Sequence, residues 1–133
     1  MSLTSGSPAS SSRIGMVGFS AGAMLTMATA LAGDEAKPAF IGAIYGPLEP
    51  VTVPAEAPPL FVAIAADDPL FAGKGMGLIE SWMAAKRPVE FHLSERGGHG
   101  FGMYAKETTS TGWFAAFVRW LGMHGMLKPP PPG

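Results

Sequence analysis

A serine held between two glycines, Gly18-Phe19-Ser20-Ala21-Gly22, is where chemistry could begin in this chain. An apolar run, Ile14-Gly15-Met16-Val17, precedes it, and a helix-like run, Ala23 to Leu31, follows. A serine at such a strand-to-helix corner is a nucleophile elbow. The chain must reverse within a few residues, so the serine is held in a strained backbone conformation. Glycines on both sides leave room for strand and helix to approach closely. The hydroxyl is then pushed into the open, and the Ala21 N–H points where an oxyanion would form. Read blandly, the same residues are a glycine-rich turn with a surface serine. The order strand, elbow, helix argues against that.

Two further groups could complete a nucleophilic site. Asp67 and Asp68 follow the apolar run Leu60 to Ala65, and His99 lies in Gly97-Gly98-His99-Gly100-Phe101, after Val89 to Ser94. Catalytic groups in open parallel sheets gather beyond the carboxyl ends of the strands. A serine hydroxyl is a poor nucleophile until a base takes its proton, and an imidazole can take it and return it to the leaving group. A buried carboxylate fixes the imidazole tautomer and stabilises the imidazolium. Asp68 lies one residue deeper into its turn than Asp67, although Asp-Asp-Pro also reads as a helix start. Apolar Phe19, Leu70, Phe71, Phe101 and Met103 near these groups would suit a small acyl moiety. His92 is expected to be a packed or edge residue, and His124 to complement a helix C-terminus. Neither forms a ligand set with His99, so no metal or cofactor is expected. Trp82, Trp113 and Trp120 read as core.

The elements that must position these groups alternate. Strands are predicted at 13–19, 40–45, 60–65 and 89–94, the third with the unbroken apolar run of a sheet covered on both faces. Helices are predicted at 21–32, 75–85 and 111–122. Residues 46–59, with five prolines, read as an extended loop. The alternation implies an α/β fold with a mostly parallel sheet of about four strands and flanking helices. Residues 1–12 read as a flexible lead-in, 13–125 as the domain, and 126–133 as a Pro-rich tail.

Bulk properties narrow the function classes. The 133 residues leave room for one domain, and the formal net charge is −1. No basic stripe exists, so nucleic acid is not an expected partner. With no cysteine, a thiolate nucleophile and a cysteine metal site are excluded. The N-terminal stretch lacks the pattern of a signal peptide, and no apolar run approaches the ~18 residues of a membrane span. A cytoplasmic location is the expectation. Charged residues are only 14% of the chain, well under the usual ~25%. That balance suggests apolar surface buried against a partner chain.

At these residues the chain resembles the α/β-hydrolase superfamily, and within it the acetyl-xylan-esterase-like and dienelactone-hydrolase-like esterases. The resemblance rests on Arg13-Ile14-Gly15-Met16-Val17-Gly18-Phe19-Ser20-Ala21-Gly22, Ala65-Ala66-Asp67-Asp68-Pro69-Leu70, and Glu95-Arg96-Gly97-Gly98-His99-Gly100-Phe101-Gly102-Met103. It implies a Ser20-His99-Asp68 triad with the acid on Asp68, and hydrolysis of short-chain esters of acetyl type. A serine replaces the cysteine nucleophile of true dienelactone hydrolases, which favours ester hydrolysis. It covers only the family's C-terminal half, a truncated form of the fold. The loop that supplies a second oxyanion donor in the family has no counterpart before Ser20. Strand 13–19 is therefore expected to be a bare sheet edge, completed by a second copy in a homodimer. The competing expectations are a non-catalytic binding or scaffold module, and a peptidase or thioesterase with the same triad.

Overall fold

The computed structural model describes residues 2–4, 14–31, 38–70, 73, 75–101 and 108–127. Five strands form one sheet in the order β1-β2-β3-β4-β5: β1 Ser2–Thr4, β2 Ile14–Phe19, β3 Ile41–Ile44, β4 Leu60–Ala65 and β5 Val89–Ser94. β2 to β5 run parallel, and β1 pairs antiparallel with β2. The helices are α1 Ala21–Leu31, α2 Gly77–Ala84 and α3 Trp113–Met123, the last entered through a short 3-10 turn, Thr109–Gly112. The predicted α/β architecture with four parallel strands is present. Among the described residues no helix is long and apolar enough to cross a membrane.

β4 is buried along its whole length, and β3 likewise. This follows from their composition: apolar residues at consecutive positions demand cover on both faces. On one face Phe61 meets the rings of Phe117 and Trp120 of α3, at 5.1 and 5.6 Å. Phe40 packs on the same two rings. The Trp82 side chain of α2 is fully buried, and its indole N–H donates to the Pro58 carbonyl at 3.0 Å. Trp113 and Trp120 are buried as expected.

Four expectations need correction. The edge of β2 is not bare: β1 lies along Ile14 to Met16, with register Leu3↔Gly15. An open row of strand amides recruits whatever extended segment is near, and here the chain supplies its own. Residues 2–4 are thus strand, not lead-in, and among the described residues no strand pairs with the outer edge of Val17 to Phe19. Met126, assigned to the tail, packs on the core, and its N–H donates to the Leu121 carbonyl at 2.9 Å. The helix predicted from residue 75 begins at Gly77, because Gly75 sits at φ +85° and cannot be helical.

Candidate active site

Parallel strands point their carboxyl ends one way, so the residues that follow β2, β3, β4 and β5 meet at one rim. These are Ser20, Tyr45, the Asp67-Asp68 pair and the His99 loop. Ser20 has φ +55°, in the left-handed region that side chains other than glycine seldom adopt. It is held there from both sides. Its N–H donates to the Ile44 carbonyl, and its carbonyl accepts from the Ala23 N–H, each at 2.9 Å. Gly18 makes the corner possible. A Cβ added there would lie 2.2 Å from the Gly22 carbonyl oxygen. Gly22 is different: a Cβ there would meet nothing within 4 Å. Only the first glycine of the pair is a required spacer, contrary to the symmetric expectation.

The three separated groups come together. Ser20 Oγ lies 2.8 Å from His99 Nε2, and His99 Nδ1 lies 2.8 Å from Asp68 Oδ2. An ionised carboxylate can only accept, so the imidazole proton sits on Nδ1, and Nε2 is left to accept from the serine hydroxyl. The Asp68 side chain is fully buried, and its other oxygen accepts from the Leu70 N–H at 2.8 Å. Each carboxylate oxygen therefore has a donor, which burial of a charge requires. His99 keeps 22% of its side chain exposed, enough to reach a reacting group.

Asp67 and Asp68 have separate partners. Asp67 Oδ1 accepts from the N–H groups of Gly97 and Gly98, at 3.0 and 2.7 Å. The histidine loop is also seated from below. A Cβ on Gly97 would lie 2.6 Å from Ser110 Cβ, so the loop packs directly on the 3-10 turn. Ser110 is itself buried, and its hydroxyl lies 2.7 Å from the Thr108 hydroxyl.

Tyr45 is a site residue that sequence reasoning missed, having been read only as the end of a strand. Its ring centroid stands 5.1 Å from that of His99 and 4.9 Å from that of Phe101. Its φ of +39° turns the backbone out of β3 immediately beside the elbow. An aromatic placed directly after an apolar strand run, in line with the other strand ends, was the available signal.

The residues expected to contact an acyl group divide. Phe19 is partly buried between Tyr45 and Trp113, and Leu70 is exposed beside the acid. Phe101 is corrected: it is 1% exposed and packs edge-to-face under Tyr45, so it belongs to the core. Gly100, at φ +77°, turns the chain inward just before it. Phe71 and Met103 lie outside the described residues. Ala21 opens α1, so its N–H has no acceptor one turn back within the helix. The first turn of α1 carries no acidic side chain. His92 stacks on Phe61 at 5.2 Å and bonds Glu90 at 2.7 Å, away from the rim. His124 caps α3 against Trp120. Among the described residues no three His, Cys, Asp or Glu side chains group to hold a metal.

Solved structures share this architecture. An α/β hydrolase enzyme from a Medee basin deep-sea metagenome library is 29% identical, with TM-score 0.69 over 80% of this chain and 52% of that one. An acetyl ester-xyloside bifunctional hydrolase from Caldicellulosiruptor lactoaceticus is 18% identical, with TM-score 0.76 over 86% of this chain and 57% of that one. A carboxylesterase from Lactobacillus plantarum is 19% identical, with TM-score 0.69 over 86% and 60%. The chain thus spans a little over half the length of these neighbours. No curated protein matches it significantly. The model of the dienelactone hydrolase family matches residues 2–128, nearly the whole of this chain, and the chain belongs to that family.

Proposed function

We propose that this chain is a serine esterase acting on short-chain carboxylic esters. The observation that carries the reading is the unbroken relay from Ser20 Oγ through both imidazole nitrogens to a fully buried carboxylate, each link 2.8 Å. In the proposed reaction His99 Nε2 takes the hydroxyl proton as Ser20 Oγ bonds the ester carbonyl carbon. The carbonyl oxygen becomes an oxyanion, to which the Ala21 N–H at the positive end of α1 would donate. Collapse expels the alcohol, which leaves with the proton from His99, and Ser20 holds the acyl group. Water then attacks with His99 again as base, releasing the acid and restoring the hydroxyl. Asp68 stays ionised throughout, holding the proton-bearing Nδ1 and stabilising the transient imidazolium. The small residue types around Ser20 in Gly18-Phe19-Ser20-Ala21-Gly22 and the apolar Leu70 beside Asp68 suit a small acyl group.

Membership of the dienelactone hydrolase family supports a hydrolytic role. Two structural neighbours, an acetyl ester-xyloside bifunctional hydrolase and a carboxylesterase, support the ester class. One oxyanion donor is commonly worth ~2.7–4 kcal/mol. The Ala21 N–H is the donor this reading assigns, and reaction of Ser20 with a fluorophosphonate reads the activated serine without a substrate of known specificity. The test is p-nitrophenyl acetate hydrolysis together with fluorophosphonate labelling. Ser20→Ala should abolish both, and Asp68→Asn should slow both by roughly three to four powers of ten through loss of the productive tautomer. Equal rates for wild type and Ser20→Ala would end the esterase reading.

A further inference from the structure

We propose that Asp67 is a positioning residue: its carboxylate clamps the histidine loop so that one imidazole meets Ser20 and Asp68 at once. The catalytic consequence rests on the esterase reading, but the geometry does not. Two successive amides, Gly97 N–H and Gly98 N–H, converge on the single oxygen Oδ1, at 3.0 and 2.7 Å. Adjacent N–H groups aimed at one point form a concavity suited to an anion. The clamped residues stand immediately before His99, so any slip there passes directly into the imidazole.

The loop needs such a tie. Gly98 and Gly100 flank His99 at φ +68° and +77°, in backbone conformations that glycine leaves with little resistance. Asp67, by contrast, belongs to a segment fixed on both sides. The Ala66 N–H donates to the Ser94 carbonyl at 2.7 Å, and the Asp68 N–H to the Ala65 carbonyl at 3.1 Å. The turn after β4 thereby grips the histidine loop twice, with Asp67 on its backbone and Asp68 on its ring. The two neighbouring carboxylates divide the work by burial. Asp68 is sealed in with the imidazole, and Asp67 stands exposed at the rim. An exposed side chain leaves no core cavity when shortened, so its removal should disturb the loop without unfolding the domain.

The experiment compares full-length wild type, Asp67→Ala and Asp67→Asn. Amide hydrogen exchange at Gly97 and Gly98 is followed by NMR, with the downfield proton of the His99–Asp68 bond. Melting temperature, p-nitrophenyl acetate kinetics and the fluorophosphonate labelling rate complete the set. Asp67→Ala should melt within a few degrees of wild type, exchange at both glycines at least about tenfold faster, and broaden the downfield proton. Its kcat and labelling rate should fall by roughly ten- to a hundredfold, the scale of a misplacement near 1 Å, with KM within about twofold. Asp67→Asn keeps a carbonyl oxygen in the same place and should recover most of the lost rate, and it carries the test should the alanine variant fail to fold. Unchanged exchange at Gly97 and Gly98 in Asp67→Ala would overturn the clamp. So would an unchanged kcat in a wild-type background that turns over. A wild type that neither hydrolyses nor labels would overturn the esterase reading instead, and the exchange and downfield-proton data would still decide the clamp.

Discussion

The two glycines that flank Ser20 look equivalent in sequence and are not equivalent in space. Gly18→Ala would place a Cβ 2.2 Å from the Gly22 carbonyl oxygen, 2.4 Å from its carbon and 2.5 Å from Thr26 Oγ1. Two of those three atoms are backbone, which no rotamer change can move. Restoring even a 3.0 Å contact requires β2 and the start of α1 to part by about 0.8 Å. Overpacking on this scale costs typically ~1–3 kcal/mol. In a domain of this size that is a fall in Tm of roughly 4–10 °C. The same displacement falls on the corner that carries Ser20, and a misplacement near 1 Å costs about a hundredfold in rate. Gly22→Ala meets no atom within 4 Å at a position inside α1. Alanine favours helix over glycine by up to ~1 kcal/mol, less in the first turn. Its Tm should hold or rise slightly, and its reactivity should stay near wild type. The assay is a thermal melt beside the second-order rate of fluorophosphonate labelling, which reads the serine without needing a substrate of known specificity. The reasoning fails if Gly18→Ala melts and labels like wild type, or if Gly22→Ala is as damaging as Gly18→Ala.

Two more outcomes follow from contacts already described. Gly97→Ala forces a Cβ to 2.6 Å from Ser110 Cβ and 2.7 Å from its Oγ, and should lift the histidine loop and slow labelling by about tenfold or more. Because those obstructing atoms belong to a side chain, Ser110→Gly in the same molecule should restore part of the loss; strict additivity of the two substitutions would contradict the contact. The strand edge at Val17 to Phe19 lies beyond the rungs made by β1. We propose that two copies pair there, and sedimentation equilibrium should then give a concentration-dependent dimer, whereas a monomer throughout the micromolar range would remove the proposal.

The parts of this site that could be read from the sequence are those where chemistry dictates residue type and the backbone dictates place. A serine at a strand-to-helix corner, a carboxylate after one apolar run and a histidine after the next had to share a rim once the strands were parallel. The structure places Ser20, Asp68 and His99 in one hydrogen-bonded chain there. What could not be read was decided by which surfaces meet. Phe101 follows His99 by two residues and was expected beside it facing the substrate, yet the backbone turn at Gly100 sends its ring beneath Tyr45. Tyr45 becomes a neighbour of the imidazole only because the end of β3 rises beneath the loop that follows β5. β1 is too short to show a period, and its pairing depends on the edge it covers. Asp67 and Asp68 make the point most directly. They are the same side chain at adjacent positions, and no property of the residue separates them. One is sealed against an imidazole and the other bonds two amides, because the turn after β4 presents successive side chains to different parts of one loop. A role assigned by partners is fixed only when distant strand ends are brought side by side, so the division between these two carboxylates is a property of the folded rim and not of either aspartate.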